Sequence, residues 1–349
     1  MVPHTWKGGR MNYQEVLENA KKNIGPKCKV CPDCNGLGCG HAMPGPGSKG
    51  PGNGAHDNYM AWRAIRVNMD TIAPNTEIDT SSNLFGRRLA FPLLTAPIGS
   101  IKYQFNPTDD VRDFNEQCIA ACESRGIVHC YATGREDAVH ESAIRSRLAH
   151  GNCGFPVINP EPDDNIVRQM AKCTAVQAPL AVAVVVDSAG LPHLKQLGGA
   201  GGTKTTEQLR ALKNAATVPF VVKGIMTVKG ALKAVEAGAD AIIVSNHGGR
   251  VLSDTPATAD VLAEIVDAVA GRAVVVVDGG IRTGLDMFKA LALGADVCMI
   301  CRPVLIAYYG GGQAGIECYF DKLQAELVDT MYMCGARSIA EISRDMVRL

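Results

Sequence analysis

The sequence AIIVSNHGGR, at residues 241–250, decides the fold that we predict for this chain. Its first four residues are apolar and are followed at once by polar residues and glycines, which is typical of a strand covered on both faces. Parallel barrels are built from such strands, and their functional residues lie where the strands end. His247 and Arg250 follow this strand, so the stretch predicts both a barrel and part of its site.

Seven further apolar runs along the chain have the same character. The eight predicted strands cover residues 89–95, 126–131, 155–158, 180–186, 220–223, 241–244, 273–277 and 297–300. Segments with helical spacing, such as residues 227–237 and 257–269, separate most of them. Eight strands that alternate with helices predict an α/β protein with a (β/α)8 TIM barrel. A doubly wound open sheet is the alternative.

The first 58 residues differ from the rest of the chain. Residues 11–24 have helical spacing, whereas residues 28–58 are so rich in Cys, Gly and Pro that neither a helix nor a central strand is expected. A helix is predicted over residues 58–66. We therefore expect an N-terminal cysteine-rich extension over residues 1–58 and the barrel over residues 59–349.

Composition and charge narrow the possible functions. The chain has 349 residues, of which 46% are hydrophobic, and this is enough for a large core. Its 35 basic and 35 acidic residues cancel, so no broad positive surface is expected for nucleic acid or an anionic membrane. The sequence shows no signal-peptide pattern and no apolar run long enough to span a bilayer, which predicts a cytoplasmic protein.

Polar residues follow most of the predicted strands and would meet at one end of a barrel. Arg250 can hold a carboxylate through two parallel hydrogen bonds, while His247 takes a proton from a neighbouring carbon or hydroxyl. Lys223 would stabilise negative charge on a ligand, and Asp187 would orient the His247 ring. Each residue alone has a structural alternative, such as a helix cap or a solvated cation. Their concentration at one end of the barrel favours a site.

A second set of candidates follows the seventh and eighth strands. These residues are Asp278, Gly279, Gly280 and Arg282, and then Cys301 and Arg302. A glycine turn before a helix exposes N–H groups to an anion, and arginine grips phosphate with two donors. The glycine pair could instead simply make a tight turn, but the second arginine favours a phosphate site, which many barrels carry in these loops.

Four cysteines are clustered in the extension. Cys28, Cys31, Cys34 and Cys39 have the spacing C-x2-C-x2-C-x4-C. Four thiolates this close in sequence can surround one metal ion or cluster, and their spacing leaves zinc and an iron–sulfur cluster open. Free thiols in a redox-labile loop are the structural alternative. The nine remaining cysteines are scattered and are expected to be unpaired.

The motifs at the strand ends resemble those of the FMN-dependent α-hydroxy acid oxidases and dehydrogenases of the glycolate oxidase and lactate oxidase type. The resemblance is specific from about residue 219 to 349, through VKGI, VSNHGGR, DGGIRTG and KALALGA, and is weaker over residues 54–187. It implies a (β/α)8 barrel with FMN across its mouth. The implied reaction is oxidation of a 2-hydroxy acid, with electrons passed from flavin to an acceptor.

The resemblance also implies a role for each matching residue. Lys223 would stabilise the reduced flavin, His247 would be the base, Arg250 would hold the substrate carboxylate and Asp187 would support His247. The implied cofactor-binding residues are Ala96, Pro97, Ile98, Gly99, Lys223, Ser245, Asp278, Gly279, Gly280, Arg282, Cys301 and Arg302. The familiar relatives assemble as symmetric oligomers, so a homo-oligomer is expected. An iron–sulfur cluster, if present, would suggest an electron-acceptor protein as a partner.

Several positions depart from the family pattern. Val157 and Asn159 stand in place of a glutamine and a tyrosine, Val185 in place of a threonine, and Cys301 in place of a glycine. The glycine-rich stretch 198–202 occupies the loop where a second carboxylate-binding arginine is usual. Simple lactate or glycolate is therefore not the expected substrate. The alternative functions are a flavin-dependent isomerase and a non-catalytic flavin or metal redox sensor.

Overall fold

Eight parallel strands close into a barrel in the computed structural model, which describes residues 11–134, 136–191 and 202–349. The barrel strands are β1 Leu93–Thr95, β2 Val128–Ala132, β3 Gly154–Ile158, β4 Val182–Val185, β5 Phe220–Ile225, β6 Ala241–Val244, β7 Val274–Asp278 and β8 Val297–Ile300. Strand β8 pairs with β1, which closes the barrel. The predicted (β/α)8 TIM barrel is confirmed, and the open sheet is excluded.

The apolar runs are explained by burial on both faces of each strand. Every residue of β6, for example, is buried, because the barrel interior covers one face and helices cover the other. The described helices are α1 Tyr13–Asn23, α2 Gly54–Ala64, α3 Val111–Ser124, α4 Asp137–Ala149, α5 Asp163–Thr174, α6 Thr206–Ala215, α7 Val228–Glu236, α8 Thr258–Val269, α9 Gly284–Ala292 and α10 Arg302–Met333. None of these described helices has both the length and the apolar character needed to cross a membrane.

Six of the eight predicted strands have different bounds in the structure, and only residues 241–244 and 297–300 match. The predicted strand 89–95 is divided: Leu89 ends a small hairpin, Ser82–Leu84 with Arg87–Leu89, and β1 begins at Leu93 after Pro92. Proline lacks the N–H that a continuous strand needs. Strand β5 continues past Lys223 to Ile225, and its register with β6 shifts between these two residues.

The C-terminal end of the extension differs from the prediction. Helix α2 begins at Gly54, four residues before the predicted start, because Asn53 accepts a hydrogen bond from the His56 amide and caps the helix. The helix ends at Ala64, so that Arg66–Val67 instead pairs with Val347–Arg348 as a short antiparallel strand. The predicted boundary at residue 58 thus falls inside α2, and the division of the chain into extension and barrel stays a prediction.

Helix α1 packs against α10, the last helix of the barrel. Asn12 caps α1 through a reciprocal pair of hydrogen bonds with Glu15, and Val16 and Leu17 face the core. The approach is closest at Gly310 of α10, where an added Cβ would lie 2.2 Å from the Val16 carbonyl oxygen. Only glycine fits there, so the sequence of α10 is adapted to the extension.

We expect Gly310→Ala to destabilise the protein by about 1–3 kcal/mol, because the new methyl group overlaps the backbone of α1. Urea unfolding measures this change. The matched control is Gly202→Ala, since an added Cβ at Gly202 meets no described residue within 4 Å. Equal stability of the two variants would show that α1 does not pack closely on α10.

Candidate active site

A cavity of about 800 Å³ opens at the carboxyl ends of the barrel strands. Three of the four predicted catalytic residues line it: Lys223, His247 and Arg250. The predicted cofactor-binding residues along its wall are Ala96, Pro97, Ile98, Gly99, Lys223, Asp278, Gly279, Gly280, Arg282, Cys301 and Arg302. Asp187 and Ser245 are absent from the lining and lie behind it, each bonded to a residue that lines the cavity.

Lys223 places a buried cation at the floor of the cavity. Its Nζ donates to Asp278 Oδ2 at 2.6 Å and to Ser245 Oγ at 2.5 Å. Burial alone would lower the pKa of this ammonium, but the carboxylates of Asp278 and Asp187 outweigh burial and raise the pKa above its usual value. Lys223 therefore stays positively charged and can face a ligand that gains negative charge.

His247 and Asp187 form a second pair beside this lysine. His247 Nδ1 lies 3.1 Å from Asp187 Oδ1, and the His247 amide donates to Ser245 Oγ at 3.1 Å. Asp187 approaches through a gap at Gly224, where an added Cβ would lie 2.6 Å from the Asp187 Cβ. With Nδ1 engaged, Nε2 is the ring nitrogen left to exchange a proton.

The turn after β7 is held open by two glycines and by α2. Gly279 and Gly280 have φ values of 97° and 80°, which disfavour a side chain. An added Cβ at Gly280 would lie 2.2 Å from the Asn58 carbonyl oxygen, and Trp62 Nε1 donates to the Gly279 oxygen at 2.7 Å. Helix α2 thus helps to fix the predicted phosphate turn through Asn58 and Trp62.

Arg282 has a donor without an acceptor. Its Nε donates to the Cys34 carbonyl at 2.9 Å and its Nη1 to the Ile281 carbonyl at 2.7 Å. Its Nη2 is buried and has no hydrogen-bond partner among the residues that the structure describes. A buried guanidinium donor needs an oxygen acceptor, and a phosphate oxygen beside the glycine turn would supply one. The residues present therefore fit the phosphate end of FMN.

Arg250 and Arg302 contact the extension as well as the cavity. Arg250 donates to the Gly45 carbonyl at 2.5 Å and to Gln104 Oε1 at 2.6 Å, and Arg302 donates to the Pro46 carbonyl at 3.2 Å. Burial, followed by the charge of Arg302, lowers the pKa of Arg250 to about 10, so Arg250 stays charged at neutral pH. Sequence reasoning missed Gln104 and these carbonyls, because no motif marks a backbone acceptor.

Residues 40–53, here called the strap, cross the loop that carries His247 and Arg250. Lys49 fixes the strap, since its Nζ donates to the Gly190 carbonyl at 2.8 Å and to the Val251 carbonyl at 2.9 Å. Its amide donates to the Gly249 carbonyl at 2.8 Å. The strap is therefore part of the wall around the site and connects the extension with the β6 loop.

The four clustered cysteines lie together. Cys28, Cys31, Cys34 and Cys39 are free, half-buried and share the lining of a cavity of about 20 Å³. Burial raises the pKa of Cys28 to about 12, and the three neighbouring cysteines add to that effect. In the described ranges, no group of three or more His, Cys, Asp or Glu side chains is placed to hold a metal ion.

Cys301 is one of the departures from the family pattern that line the large cavity, and three more lie in or directly after the third and fourth strands. Val157, Asn159 and Val185 all line the cavity. Asn159 Oδ1 accepts a hydrogen bond from Ser188 Oγ at 3.2 Å, so one acceptor position of the Asn159 side chain is already used. Residues 198–201 of the glycine-rich stretch lie outside the described residues.

Comparison with known proteins agrees with this geometry. Residues 46–197 and 195–349 match the family of FMN-dependent dehydrogenases. The chain belongs to this family. The family membership predicted from the motifs is confirmed, as is an FMN-dependent oxidoreductase activity. The matched residues begin after the four cysteines, so the family does not account for the cluster.

Two curated relatives and one solved structure illustrate the similarity. A peroxisomal (S)-2-hydroxyacid oxidase of Arabidopsis thaliana is 31% identical over 327 residues, which cover 84% of this chain and 87% of the relative. An L-lactate oxidase of Roseobacter sp. (strain GAI101) is 30% identical over 324 residues, with 85% and 87% covered. A mandelate oxidase structure with a monooxide FMN adduct has a TM-score of 0.71 at 28% identity and covers 88% and 95% of the two chains.

We expect Lys49→Met to loosen the strap, because it removes two hydrogen bonds from a charged donor. Amide hydrogen exchange over residues 40–53 should become on the order of tenfold faster or more. The control is Lys229→Met, at an exposed lysine of α7. Unchanged exchange in the Lys49 variant would mean that the strap is held by other contacts.

Proposed function

We propose that this chain oxidises a 2-hydroxy acid to the 2-oxo acid, with FMN held in the 800 Å³ cavity. The observation that carries the proposal is the pairing of His247 with Asp187 at the same cavity that Lys223 and Arg250 line. A base beside a carboxylate-binding cation suits a substrate with a hydroxyl next to a carboxylate. Two relatives, an (S)-2-hydroxyacid oxidase and an L-lactate oxidase, support the same substrate class.

Two arginines and a turn would hold the cofactor. Arg282, with its unpartnered Nη2, and Arg302 would bind the phosphate together with the turn at Gly279 and Gly280. The backbone from Ala96 to Gly99 would run along the flavin ring. Bound FMN supplies the two-electron acceptor for the substrate carbon. The Lys223 cation, paired with Asp278, would offset negative charge that develops near the ring.

The substrate would be oriented by Arg250 and deprotonated by His247. Arg250 would bind the substrate carboxylate, while its contacts with Gly45 and Gln104 fix the plane of the guanidinium. His247 Nε2 would take the substrate proton, and Asp187 would stabilise the imidazolium that results. The proton would thus move to a nitrogen whose orientation the protein has already set.

The cavity wall favours an apolar substituent on the substrate. Val157, Val185 and Leu191 line the cavity and offer aliphatic surface, with only Asn159 polar among the departures from the family pattern. Burial of apolar atoms against such a wall favours binding by about 25 cal/mol per Å². We therefore propose a 2-hydroxy acid with an aliphatic or aromatic substituent larger than a methyl group.

Other parts of the proposal rest on the sequence. We propose that Cys28, Cys31, Cys34 and Cys39 bind zinc or an iron–sulfur cluster, and that an electron-acceptor protein is a partner if the centre is iron–sulfur. A homo-oligomer is proposed from the family resemblance. Location in the cytoplasm stays a prediction, and one of the curated relatives is named as a peroxisomal enzyme.

We expect His247→Gln to slow substrate-driven flavin reduction by about 10²–10⁴-fold while FMN stays bound, because the variant lacks the base. Anaerobic absorbance at the flavin bands, after addition of a panel of 2-hydroxy acids, measures this rate. His150→Gln is the control, since His150 pairs with Glu123 and does not line the cavity. Bleaching at the unchanged rate in the His247 variant would remove His247 from the mechanism.

We expect Arg282→Gln to weaken FMN binding by about 10–100-fold, because a hydrogen bond to a charged group contributes about 1.5–3 kcal/mol. Fluorescence titration of the apoprotein with FMN measures the affinity. Arg145→Gln, at an exposed arginine of α4, is the control. An unchanged FMN affinity would place the phosphate elsewhere.

A further inference from the structure

Gln104 lies beside Arg250 on the wall of the large cavity. Arg250 Nη2 donates to Gln104 Oε1 at 2.6 Å, and both residues line the cavity. A guanidinium donates hydrogen bonds but accepts none, so the end of the Gln104 carboxamide that faces Arg250 is its oxygen. The amide nitrogen, Nε2, is therefore the end that is left for another partner.

The Nε2 atom of Gln104 has donors that no described residue uses. Within residues 11–134, 136–191 and 202–349, the contact with Arg250 is the only hydrogen bond of the Gln104 side chain. An amide nitrogen carries two N–H groups. Because the side chain is half-buried at the cavity wall, these groups need water or a ligand oxygen as an acceptor. An anionic oxygen is the acceptor that binds such a donor most strongly.

We propose that Gln104 binds the substrate carboxylate together with Arg250. Arg250 supplies the positive charge, and Gln104 Nε2 supplies a second, neutral donor to the same carboxylate. The proposal rests on the proposed function, since it takes a 2-hydroxy acid as the substrate. It adds a substrate-binding residue and a physical reason for the selection of an acid over its neutral derivatives.

Arg250 offers a ligand fewer donors than a free guanidinium does. The Gly45 carbonyl accepts from Nη1 and Gln104 Oε1 accepts from Nη2, so the protein already engages one N–H group of each terminal nitrogen. A carboxylate has two oxygens, which together accept about four hydrogen bonds. A further donor next to Arg250 would therefore satisfy a carboxylate oxygen that Arg250 alone leaves incompletely bonded.

The backbone holds Gln104 in place before a ligand binds. The amides of Gln104 and Phe105 both donate to the Ile101 carbonyl, at 3.0 and 2.9 Å. Ile101 and Phe105 are buried, which anchors this turn in the core. Lys27 Nζ donates to the Tyr103 carbonyl at 2.8 Å and fixes the turn from the extension. Binding by a side chain that is held in this way costs less conformational entropy than binding by a mobile one.

A neutral donor fits this position better than another cation. Burial, followed by the charge of Arg302, lowers the pKa of Arg250, which shows that the two guanidinium groups repel each other. A further positive charge beside them would increase this repulsion. The carboxamide of Gln104 adds donors without adding charge, so Arg250 keeps its own charge for the ligand.

The pair should select an acid over the matching amide. A carboxylate has only acceptors, which fit both Gln104 Nε2 and the N–H groups of Arg250. The carboxamide of a neutral derivative would instead bring its own N–H groups toward these donors. A site that is built to hydrogen-bond one functional group discriminates against an analogue that leaves its polar groups unpaired.

The first test measures substrate affinity and reaction rate separately. We expect Gln104→Met to raise the acid concentration needed for half-maximal flavin reduction by about 10–100-fold, as for loss of a hydrogen bond to a charged group. The limiting rate should change by less than about threefold, because the carboxylate is bound equally in the ground state and the transition state. Anaerobic stopped-flow absorbance, with an acid from the bleaching panel, measures both.

The control is Gln14→Met, at an exposed glutamine of α1 that donates to Glu18 and lines neither cavity. It should leave both values unchanged. An unchanged affinity in the Gln104→Met variant would overturn the proposal. A slower limiting rate at unchanged affinity would also overturn it, because Gln104 would then act on the reaction and not on binding.

A second variant separates direct binding from the orientation of Arg250. Gln104→Glu keeps an oxygen that accepts from Arg250 but has no donor, and its charge repels a carboxylate. We expect this variant to bind the 2-oxo acid product about 100-fold more weakly or worse, because a donor to a charged group is lost and a repulsive charge is gained. Its affinity for the matching 2-oxo amide should be unchanged or higher, since the glutamate can accept from the amide N–H groups.

Shifts of the flavin absorption bands, on titration of the oxidised FMN-bound protein, measure both affinities. Equal losses of affinity for the acid and the amide would mean that Gln104 only orients Arg250, and this result would overturn the proposal.

Failure of the proposed function gives a different result. In that case no 2-hydroxy acid bleaches the flavin, while the 2-oxo acid still binds more weakly to the Gln104→Met variant than to the unmodified protein. Normal bleaching with unchanged affinities in both Gln104 variants would instead reject the role of Gln104 and leave the hydroxy acid oxidation intact.

Discussion

The guanidinium groups at the mouth of the barrel must find oxygen acceptors where water is restricted. Arg250, Arg282 and Arg302 each donate to at least one backbone carbonyl of the extension, at Gly45, Cys34 and Pro46 respectively. One donor, Nη2 of Arg282, has no partner within the described part of the chain. The same three side chains therefore attach the extension and face the ligand cavity. A change in how one of these arginines contacts the extension therefore also alters how it faces the cavity.

The positively charged side chains of the site are of two kinds, those paired with a carboxylate and those that are not. Lys223 is buried but is paired with Asp278, so the floor of the cavity carries a fixed cation whose own charge is compensated. His247 is paired with Asp187 nearby, which orients its ring without adding a net positive charge. The uncompensated positive charge is thus concentrated on the arginines. This distribution attracts anionic ligands, a phosphate and a carboxylate.

The barrel and the members of the site could be predicted from the sequence because both depend on local patterns. An apolar run followed by polar residues indicates a strand end, and the closure of the barrel brings all strand ends together. Gln104 could not be predicted as a partner of Arg250, since its contact joins segments 146 residues apart. Nor could the contact of Asn58 with Asn246, which joins α2 to the loop after β6. No sequence pattern marks which backbone carbonyl, such as that of Gly45, will accept a hydrogen bond from a side chain.

The extension lies largely outside the residues that match the family, yet it completes the wall of a family site. Strap carbonyls occupy donors of Arg250 and Arg302 that would otherwise need water or ligand oxygens. Glycines allow this approach: an added Cβ at Gly47 would lie 2.3 Å from the Gly40 carbonyl, and one at Gly54 would lie 2.9 Å from Gly249 Cα. The Gly- and Pro-rich composition that predicted an irregular loop therefore has a structural explanation. It lets the backbone of the strap pass so close to the mouth of the barrel that its carbonyl groups accept hydrogen bonds from the arginines.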